Sequence, residues 1–448
     1  GWQVQGGSKD DPSMTGRVTF RDTIAEACLR DRLRAINPGP DGQPWLDDAR
    51  LSEAVSALTR HGQRGLMEAN QAVTELLLRG LTVEGLPGWD GGRGQTIRYI
   101  DWDDVGANTF TIANQFRIDC PPGHDVGKGF IIPDLVLLVN GIPVVVVEAK
   151  SPAIPEPLAE AVNQLRRYHN ARKAALEVEE NEGAPALFAS VQLLIATSFD
   201  QARVGCIGAG LEHYGSWKTV VGPDGTGSED AVAAALGKKA LSEQERLIAG
   251  MLRPAHLLDI LRHYLLFMNV GGQTIKTVCR YQQYRAVNRA LERLRTGKTR
   301  AQDGEYDRRG GIVWHTQGSG KSLTMVFMIR KMRTDTALRK FKVIMVTDRR
   351  DLQRQLSETA TLSGDVVELA TNAGALKRLA RRKGPGLVFA TIQKCRTEDD
   401  VPEVTKGPAF EVLNEDETIL IVVDEAHRTQ AGDLHANLMA ALPNCARI

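Results

Sequence analysis

Apolar and polar positions follow different periods along this chain, and the changes of period divide it. Residues 20–80 carry helical spacing: in "DTIAEACLRDRLRAI" and "LMEANQAVTELLLRGL" apolar residues recur every three or four positions, and Gly80 follows as a helix stop. Short runs of strand length come next, "TIRYIDW", "NTFTIANQFRI", "IIPDLVLLVNGIPVVVVEAKSP" and "VQLLIATS", with the helical "PLAEAVNQLRRYHNARKAALEVEE" between the last two. They predict a mixed α/β module ending near residue 215. The stretch "VVGPDGTGSED" is dense in turn formers and reads as a linker, after which "LLDILRHYLLF" and "YRAVNRALERL" return to helical spacing. From residue 311 onward "GIVWH", "SLTMVFMIRKM", "KVIMVTD", "DLQRQLSE", "GLVFATI" and "TILIVVD" alternate apolar strands with helices, as in a parallel sheet covered on both faces. No internal repeat is visible.

Length sets the scale: 448 residues suit two to three domains with ordinary cores. Charge says little, because 56 basic residues against 55 acidic ones leave a net +1, so any nucleic-acid surface must be local. Cys28, Cys120, Cys206, Cys279, Cys395 and Cys445 are scattered without a CxxC, which points to reduced thiols and a cytoplasmic location rather than a disulfide frame or zinc site. No apolar run approaches the roughly 18 residues of a membrane span, so no membrane role is expected. The opening "GWQVQGGSKDDPSMTG" lacks both Met and an apolar signal core, which suggests a trimmed chain.

Chemistry enters most clearly at "HTQGSGKS". A loop of Thr316, Gln317, Gly318, Ser319 and Gly320, set after a strand and before a helix, can aim backbone N–H groups at the phosphates of ATP, with the helix N-terminus adding positive potential. Lys321 would reach the β- and γ-phosphates and Ser322 would hold Mg²⁺. The full pattern wants Gly where His315 stands, and a plain Gly-rich turn is the bland alternative. A second half-site supports the functional reading. The run "TILIVVDEAH" is a buried-strand pattern ending in acids, with Asp424 for Mg²⁺ through water and Glu425 to orient and deprotonate the attacking water.

The quartet Asp424-Glu425-Ala426-His427 resembles the DEAH box of superfamily 2 helicases and translocases. That resemblance implies an adenine-reading role for Gln283 in "RYQQYRAV", DNA-backbone contacts from "VIMVTDRRDLQRQL" and "FATIQK", and coupling of hydrolysis to motion through His427. On their own residue types, Gln283 could be a solvated helix residue and His427 a core histidine.

The apolar stretch at 131–152 raises a different question, because it keeps Asp134 near its start and Glu148 and Lys150 at its end. Asp134, Glu148 and Lys150, with Pro133 ahead of them, fit PD-x13-ExK. Two carboxylates at neighbouring strand positions can hold Mg²⁺, while a lysine two residues on shares the face of Glu148 and can position water or stabilise phosphate charge. Alone, a strand ending in "EAK" is commonly a solvated strand end. Strand arithmetic adds a constraint. A regular two-residue Asn140-Gly141 hairpin sets Asp134 opposite Val147 and sends Glu148 to the other face, whereas a three-residue loop or a bulge brings Asp134 opposite Glu148. Shared metal ligation would place the nearest carboxylate oxygens about 4–5 Å apart, so a three-residue loop or a bulge is expected, with Pro143 where its missing N–H is harmless. Downstream, Gln164 and Tyr168 in "QLRRY" lie one helical turn apart on one face.

Together these features resemble the restriction (motor) subunit of type I restriction–modification enzymes, whose N-terminal PD-(D/E)xK nuclease with a QxxxY helix motif precedes a DEAD/DEAH-type motor. "LRAINP", "NTFTIANQF", "QLRRYHN", "VWHTQGSGKSLTM" and "VDEAHRTQ" all look like family blocks. The resemblance implies an α/β protein: a restriction-endonuclease-like mixed α/β domain over 1–225, a helical connection over 226–260, and a first RecA-like domain with a mainly parallel sheet over 261–448. It makes Asp134, Glu148 and Lys150 the cleavage site, with Gln164, Tyr168 and Glu68 in support, the last equally a helix-surface charge. It implies ATP and Mg²⁺ as cofactors, double-stranded DNA as substrate, and methyltransferase and specificity subunits as partners. Since the family continues past "ALPNCARI" into a second RecA-like domain, this chain is expected to bind nucleotide without translocating by itself. A type III subunit would place its nuclease after the motor, and a repair helicase–nuclease is a further alternative. The motifs leave open an N-terminal fold that only docks the motor.

Overall fold

In the computed structural model, which describes residues 1–61, 64–121, 129–171, 182–314, 316, 320–347, 367–391, 411–424 and 440–448, the strand-like runs before residue 215 other than "TIRYIDW" contribute to a mixed sheet. Its six strands are β1 (Gln3–Gly6), β4 (Phe110–Asn114), β7 (Leu135–Val139), β8 (Ile142–Ala149), β9 (Leu193–Ser198) and β10 (Gln201–Gly205), in the order β1-β4-β7-β8-β9-β10. Two short ribbons lie outside it, β2 (Leu81–Val83) with β3 (Gln95–Ile97) and β5 (Ile118–Asp119) with β6 (Phe130–Ile131). Pairing along the main sheet is parallel for β1 with β4 and β8 with β9, and antiparallel elsewhere.

Helices α1 (Glu26–Ile36), α2 (Asp48–Thr59) and α3 (Leu66–Arg79) form where the helical spacing predicts them, and α3 ends on Gly80 at φ 79°. Helix α4 (Pro157–Tyr168) starts with Pro157 in its first turn, where no N–H is missed. It buries Ala161, Val162, Leu165 and Tyr168 against Val136, Leu138, Val146 and Leu194 of the sheet. Burying Leu165 alone is worth about 2 kcal/mol, so this face fixes how α4 lies on β7–β9. A short helix, α5 (Pro185–Phe188), leads into β9.

The first compact unit runs from Gly1 to Tyr281, past the expected end at 225. The segment 226–260, expected as a connection, carries α6 (Glu229–Ala235), α7 (Glu243–Met251) and α8 (Pro254–His263) within that unit. The cause is local apolar packing, in which Ala233 clusters with Val220 and Leu241, together with a capping box between Ser242 and Glu245 that starts α7. The run "LLDILRHYLLF" is not one helix: α8 stops at His263, and Leu265–Val270 pairs as β11 with β12 (Gln273–Val278). The strand wins there because Leu265 and Leu266 are buried opposite Val278 and Thr277.

The second compact unit, Gln282–Ile448, holds most of α9 (Tyr281–Thr296), then α10 (Arg300–Asp303), α11 (Lys321–Thr334), β13 (Lys342–Thr347), β14 (Val367–Ala370), α12 (Ala373–Arg381), β15 (Gly386–Thr391), β16 (Ile419–Val423) and β17 (Ala446–Arg447). The sheet is wholly parallel in the order β14-β15-β13-β16-β17, as continuous apolar strands predict. The run "GIVW" departs from expectation: Gly311–Trp314 is not a strand, and Ile312 and Trp314 are 86% and 89% exposed. Gly311 N–H reaches the Arg447 carbonyl at 2.8 Å, but β17 spans two residues, so the run finds no ladder to extend among the described residues. The run "DLQRQLSE" lies outside the described residues. Among those described, no helix is long and apolar enough to cross a membrane.

Candidate functional site

The turn Asn140-Gly141 has both residues at positive φ, 53° and 80°, as a two-residue hairpin requires. Asn140 is held there by its own amide, which donates to the Tyr99 and Asn108 oxygens while its oxygen accepts from Thr109 N–H. Val139 pairs with Ile142 and Leu138 with Pro143, but Leu137 pairs with Val145, so Val144 is an extra residue in β8. Of the two expected alternatives, the bulge is the one that forms. It shifts the register so that Leu135 meets Val147, and the next step sets Asp134 across from Glu148. Pro143 lies ahead of the β9 ladder, which starts on Val145, so its missing N–H costs no bond there.

Alternation along β7 and β8 now places Asp134, Val136 and Leu138 on the same face as Val146 and Glu148, the face that α4 covers. Glu148 is almost fully buried. Its Oε1 accepts from Lys150 Nζ at 2.8 Å, and the same ammonium donates to Gln164 Oε1 on α4. Gln164 Nε2 in turn donates to the Tyr168 hydroxyl, which donates its single proton to the Ile132 carbonyl at 3.1 Å. Asp134 Oδ2 accepts from Ala149 N–H at 2.8 Å, and Lys150 N–H bonds the Thr197 carbonyl of β9 at 2.9 Å. A chain of bonds therefore runs from Glu148 through Lys150 and Gln164 to Tyr168.

Glu148 Oε2 is buried with no hydrogen-bond partner. Burial pushes the Glu148 carboxyl up to about 7, the Asp134 charge adds to the push, and the Lys150 ammonium opposes it. A buried carboxylate oxygen left open beside a second carboxylate is the donor set a hard dication fits, since Mg²⁺ takes one or two carboxylates and completes its shell with water and phosphate oxygens. Among the described residues no group of three or more His, Cys, Asp or Glu gathers, so the pair stands without a third such side chain there. Glu68 is exposed on α3, and among the described residues no hydrogen bond or ion pair joins it to this group. The Ile132 carbonyl was missed in the sequence, because a backbone acceptor leaves no residue-type signal.

In the second unit, Gly320 precedes α11 at φ 85° as its N-cap residue, with no side chain of its own to cap the helix, whose first residues are Lys321 and Ser322. Gln283 is buried on α9 and donates Nε2 to the Gly320 carbonyl at 3.0 Å. A Cβ on residue 320 would meet that nitrogen at 2.5 Å, so the turn is fitted to glycine. The N–H groups at the start of a 14-residue helix suit a phosphate. Asp424 follows β16, where its N–H bonds the Val346 carbonyl at 2.9 Å and Oδ2 accepts from Thr347 Oγ1 at 3.1 Å. Thr347 was not singled out in the sequence; its signal is a hydroxyl ending the neighbouring buried strand. Thr316 is described, whereas Gln317, Gly318, Ser319, Glu425 and His427 lie outside the described residues.

A mixed-sheet unit with a carboxylate–lysine pair, followed by a parallel-sheet unit with a glycine-led helix, defines a two-part α/β protein. Residues 1–211 match the family described as type I restriction enzyme R protein N terminus, and residues 282–448 match the SWI2/SNF2 ATPase family. Over 442 residues the chain is 31% identical to the type I restriction enzyme HindI endonuclease subunit of Haemophilus influenzae, covering 96% of this chain and 38% of that protein. It is 26% identical over 451 residues to a provisionally named type I restriction enzyme MjaIXP endonuclease subunit of Methanocaldococcus jannaschii, covering 99% and 40%. It is 26% identical over 345 residues to the type I restriction enzyme SsaAORF53P endonuclease subunit of Staphylococcus saprophyticus, covering 76% and 31%. Over nearly its whole length the chain is thus similar to type I restriction enzyme R proteins. It spans about two fifths or less of the length of these relatives.

Proposed function

We propose that the first unit is a Mg²⁺-dependent endonuclease and the second the first half of an ATP-driven motor on double-stranded DNA. Both would serve the restriction subunit of a cytoplasmic type I complex with methyltransferase and specificity subunits. One observation carries the nuclease reading: the bulge at Val144 puts Asp134 and Glu148 on one face, where α4 clamps Lys150 through Gln164. Asp134 and Glu148 hold the metal, which when bound stabilises charge on the scissile phosphate. Lys150 is aimed by Glu148 and Gln164 to orient the attacking water and stabilise phosphate charge, and Tyr168 keeps Gln164 turned toward it. In the second unit the loop from Thr316 to Gly320 receives the phosphates, with Gln317, Gly318 and Ser319 between, and Gln283 reads adenine beside it. Lys321 neutralises phosphate charge, Ser322 and Asp424 hold the nucleotide's Mg²⁺, Glu425 orients the hydrolytic water, and His427 couples hydrolysis to motion.

The test uses the full-length subunit assembled with its methyltransferase and specificity partners. Asp134→Ala should abolish cleavage of unmodified DNA while DNA-stimulated ATP hydrolysis continues, and Lys321→Ala should abolish both. Undiminished cleavage by Asp134→Ala would leave the first unit as a docking domain. Undiminished hydrolysis by Lys321→Ala would remove the ATP-site assignment.

A further inference from the structure

The bulge that aligns the two carboxylates frees backbone carbonyls of Pro143 and Val144, and the structure shows what holds them. Ser190 Oγ donates to the Pro143 carbonyl and Gln192 N–H to the Val144 carbonyl, both at 2.8 Å. Gln192 is itself fixed from a distance. Its side-chain nitrogen donates to the Ser190 carbonyl at 2.8 Å, so its oxygen faces inward, and Lys276 Nζ on β12 donates to that oxygen at 2.6 Å. Lys276 also donates to Asn70 Oδ1 at 2.7 Å and lies 3.5 Å from Thr74 Oγ1, both on α3. Asn70 cannot turn away, because its nitrogen donates to the carbonyls of Phe188, Ala189 and Val191. The oxygens of Asn70 and Gln192 thus face the ammonium, and Thr74 Oγ1 also donates to Gln192 Oε1 at 2.9 Å. The ring of Phe267 completes it at 5.1 Å.

A buried lysine costs stability unless its donors are met. Burial pushes this ammonium down to about 7, partly opposed by Cys206. Such a group is a poor choice for packing alone, and its partners form one line from hairpin to bulge.

We infer that Lys276 is a positioning residue for the nuclease site: from the hairpin that leads into the second unit, it locks Gln192, and through Gln192 the Val144 bulge and the facing of Asp134 and Glu148. The inference rests on the nuclease reading. It also gives the hairpin a role, since only Cys279 and Arg280 separate β12 from α9, the helix carrying Gln283.

The test reads metal binding rather than cleavage, by calorimetric titration of Mn²⁺ into the full chain, with Asp134→Ala defining the component that belongs to the carboxylate pair. Loss of a supporting partner typically weakens metal binding ~10-fold or more, so Lys276→Met should weaken the Asp134-dependent component by that factor. Leu257→Ala, a buried truncation on α8, serves as a destabilising control and should leave Mn²⁺ affinity unchanged. Where Lys276→Met fails to fold, the double variant Lys276→Met with Gln192→Met removes both halves of the contact and should fold with the same weakened affinity. Wild-type affinity in a folded variant lacking Lys276, or equal weakening by Leu257→Ala, overturns the inference and leaves the nuclease reading standing. Absence of any Asp134-dependent Mn²⁺ binding in the wild type overturns both.

Discussion

Tyr168→Phe removes one oxygen from the site and nothing else. That hydroxyl donates to the Ile132 carbonyl at 3.1 Å and accepts from Gln164 Nε2, so the variant loses two bonds at a buried position while the ring keeps its packing in the α4 face. A lost hydrogen bond costs about 0.5–1.5 kcal/mol, more where a buried partner is left unmet, so the loss of stability should be about 1–2 kcal/mol. Against a usual stability of about 5–15 kcal/mol, this leaves the folded fraction essentially complete. Cleavage should respond differently. Without the hydroxyl, Gln164 is free to swing and Lys150 keeps Glu148 as its one remaining described anchor, a loss of orientation expected to slow cleavage about 10–100-fold. That range corresponds to about 1.4–2.7 kcal/mol in the barrier. The assay is single-turnover cleavage by the assembled complex under saturating Mg²⁺, with ATP hydrolysis and thermal unfolding measured on the same preparation. Cleavage at the wild-type rate in a variant that melts 1–2 kcal/mol less stable would refute the positioning role and reduce Tyr168 to a core residue.

Two further outcomes follow from single residues. His169 is wholly buried at the end of α4, where desolvation lowers it to about 4, so the folded protein keeps it neutral while the unfolded chain protonates near 6.5. Stability from this group is therefore intact above pH 6.5 and lost as pH falls toward 4, by about 3 kcal/mol at about 1.4 kcal/mol per pH unit. Urea unfolding from pH 7 to 4.5 should show that loss in the wild type and not in His169→Gln; parallel profiles would refute it. Gly320→Ala meets both a φ of 85° and Gln283 Nε2 at 2.5 Å, so it should weaken ATP binding at least several-fold. Binding of fluorescent ATP at wild-type affinity in Gly320→Ala would show that the turn is not part of the nucleotide site.

Much of the fold was legible because its signals are local and redundant. Continuous apolar runs such as "KVIMVTD" and "TILIVVD" specify buried parallel strands in almost any surroundings, and β13 and β16 pair as neighbours. The failures have a common cause in tertiary context. "YLLF" after α8 has helical spacing, yet Leu265 and Leu266 gain more by pairing into a ribbon with β12, a partner that spacing within the run cannot reveal. "GIVW" has strand composition, yet a strand needs a ladder, and the two residues of β17 supply little. The helical connection expected after 225 carries α6, α7 and α8, and the capping box of Ser242 and Glu245 starts α7.

The site was legible in a more instructive way. Asp134, Glu148 and Lys150 were visible as costly charges in an apolar ribbon, and counting residues around Asn140-Gly141 showed that a regular hairpin would separate the carboxylates. The contradiction located the irregularity without showing its form, because either a longer loop or a bulge repairs the count. What decides between them lies outside the ribbon. Asn140 is gripped by Tyr99, Asn108 and Thr109, which fixes the tight turn, so the extra residue must be absorbed in the strand. Val144 takes it because Ser190 and Gln192 stand ready for the carbonyls that the bulge exposes. Neither grip has a short-range signature, since the partners come from 31 to 48 residues away in the chain. The residue types of the site are thus written locally, and its geometry is written by the neighbours that make one register cheaper than the other.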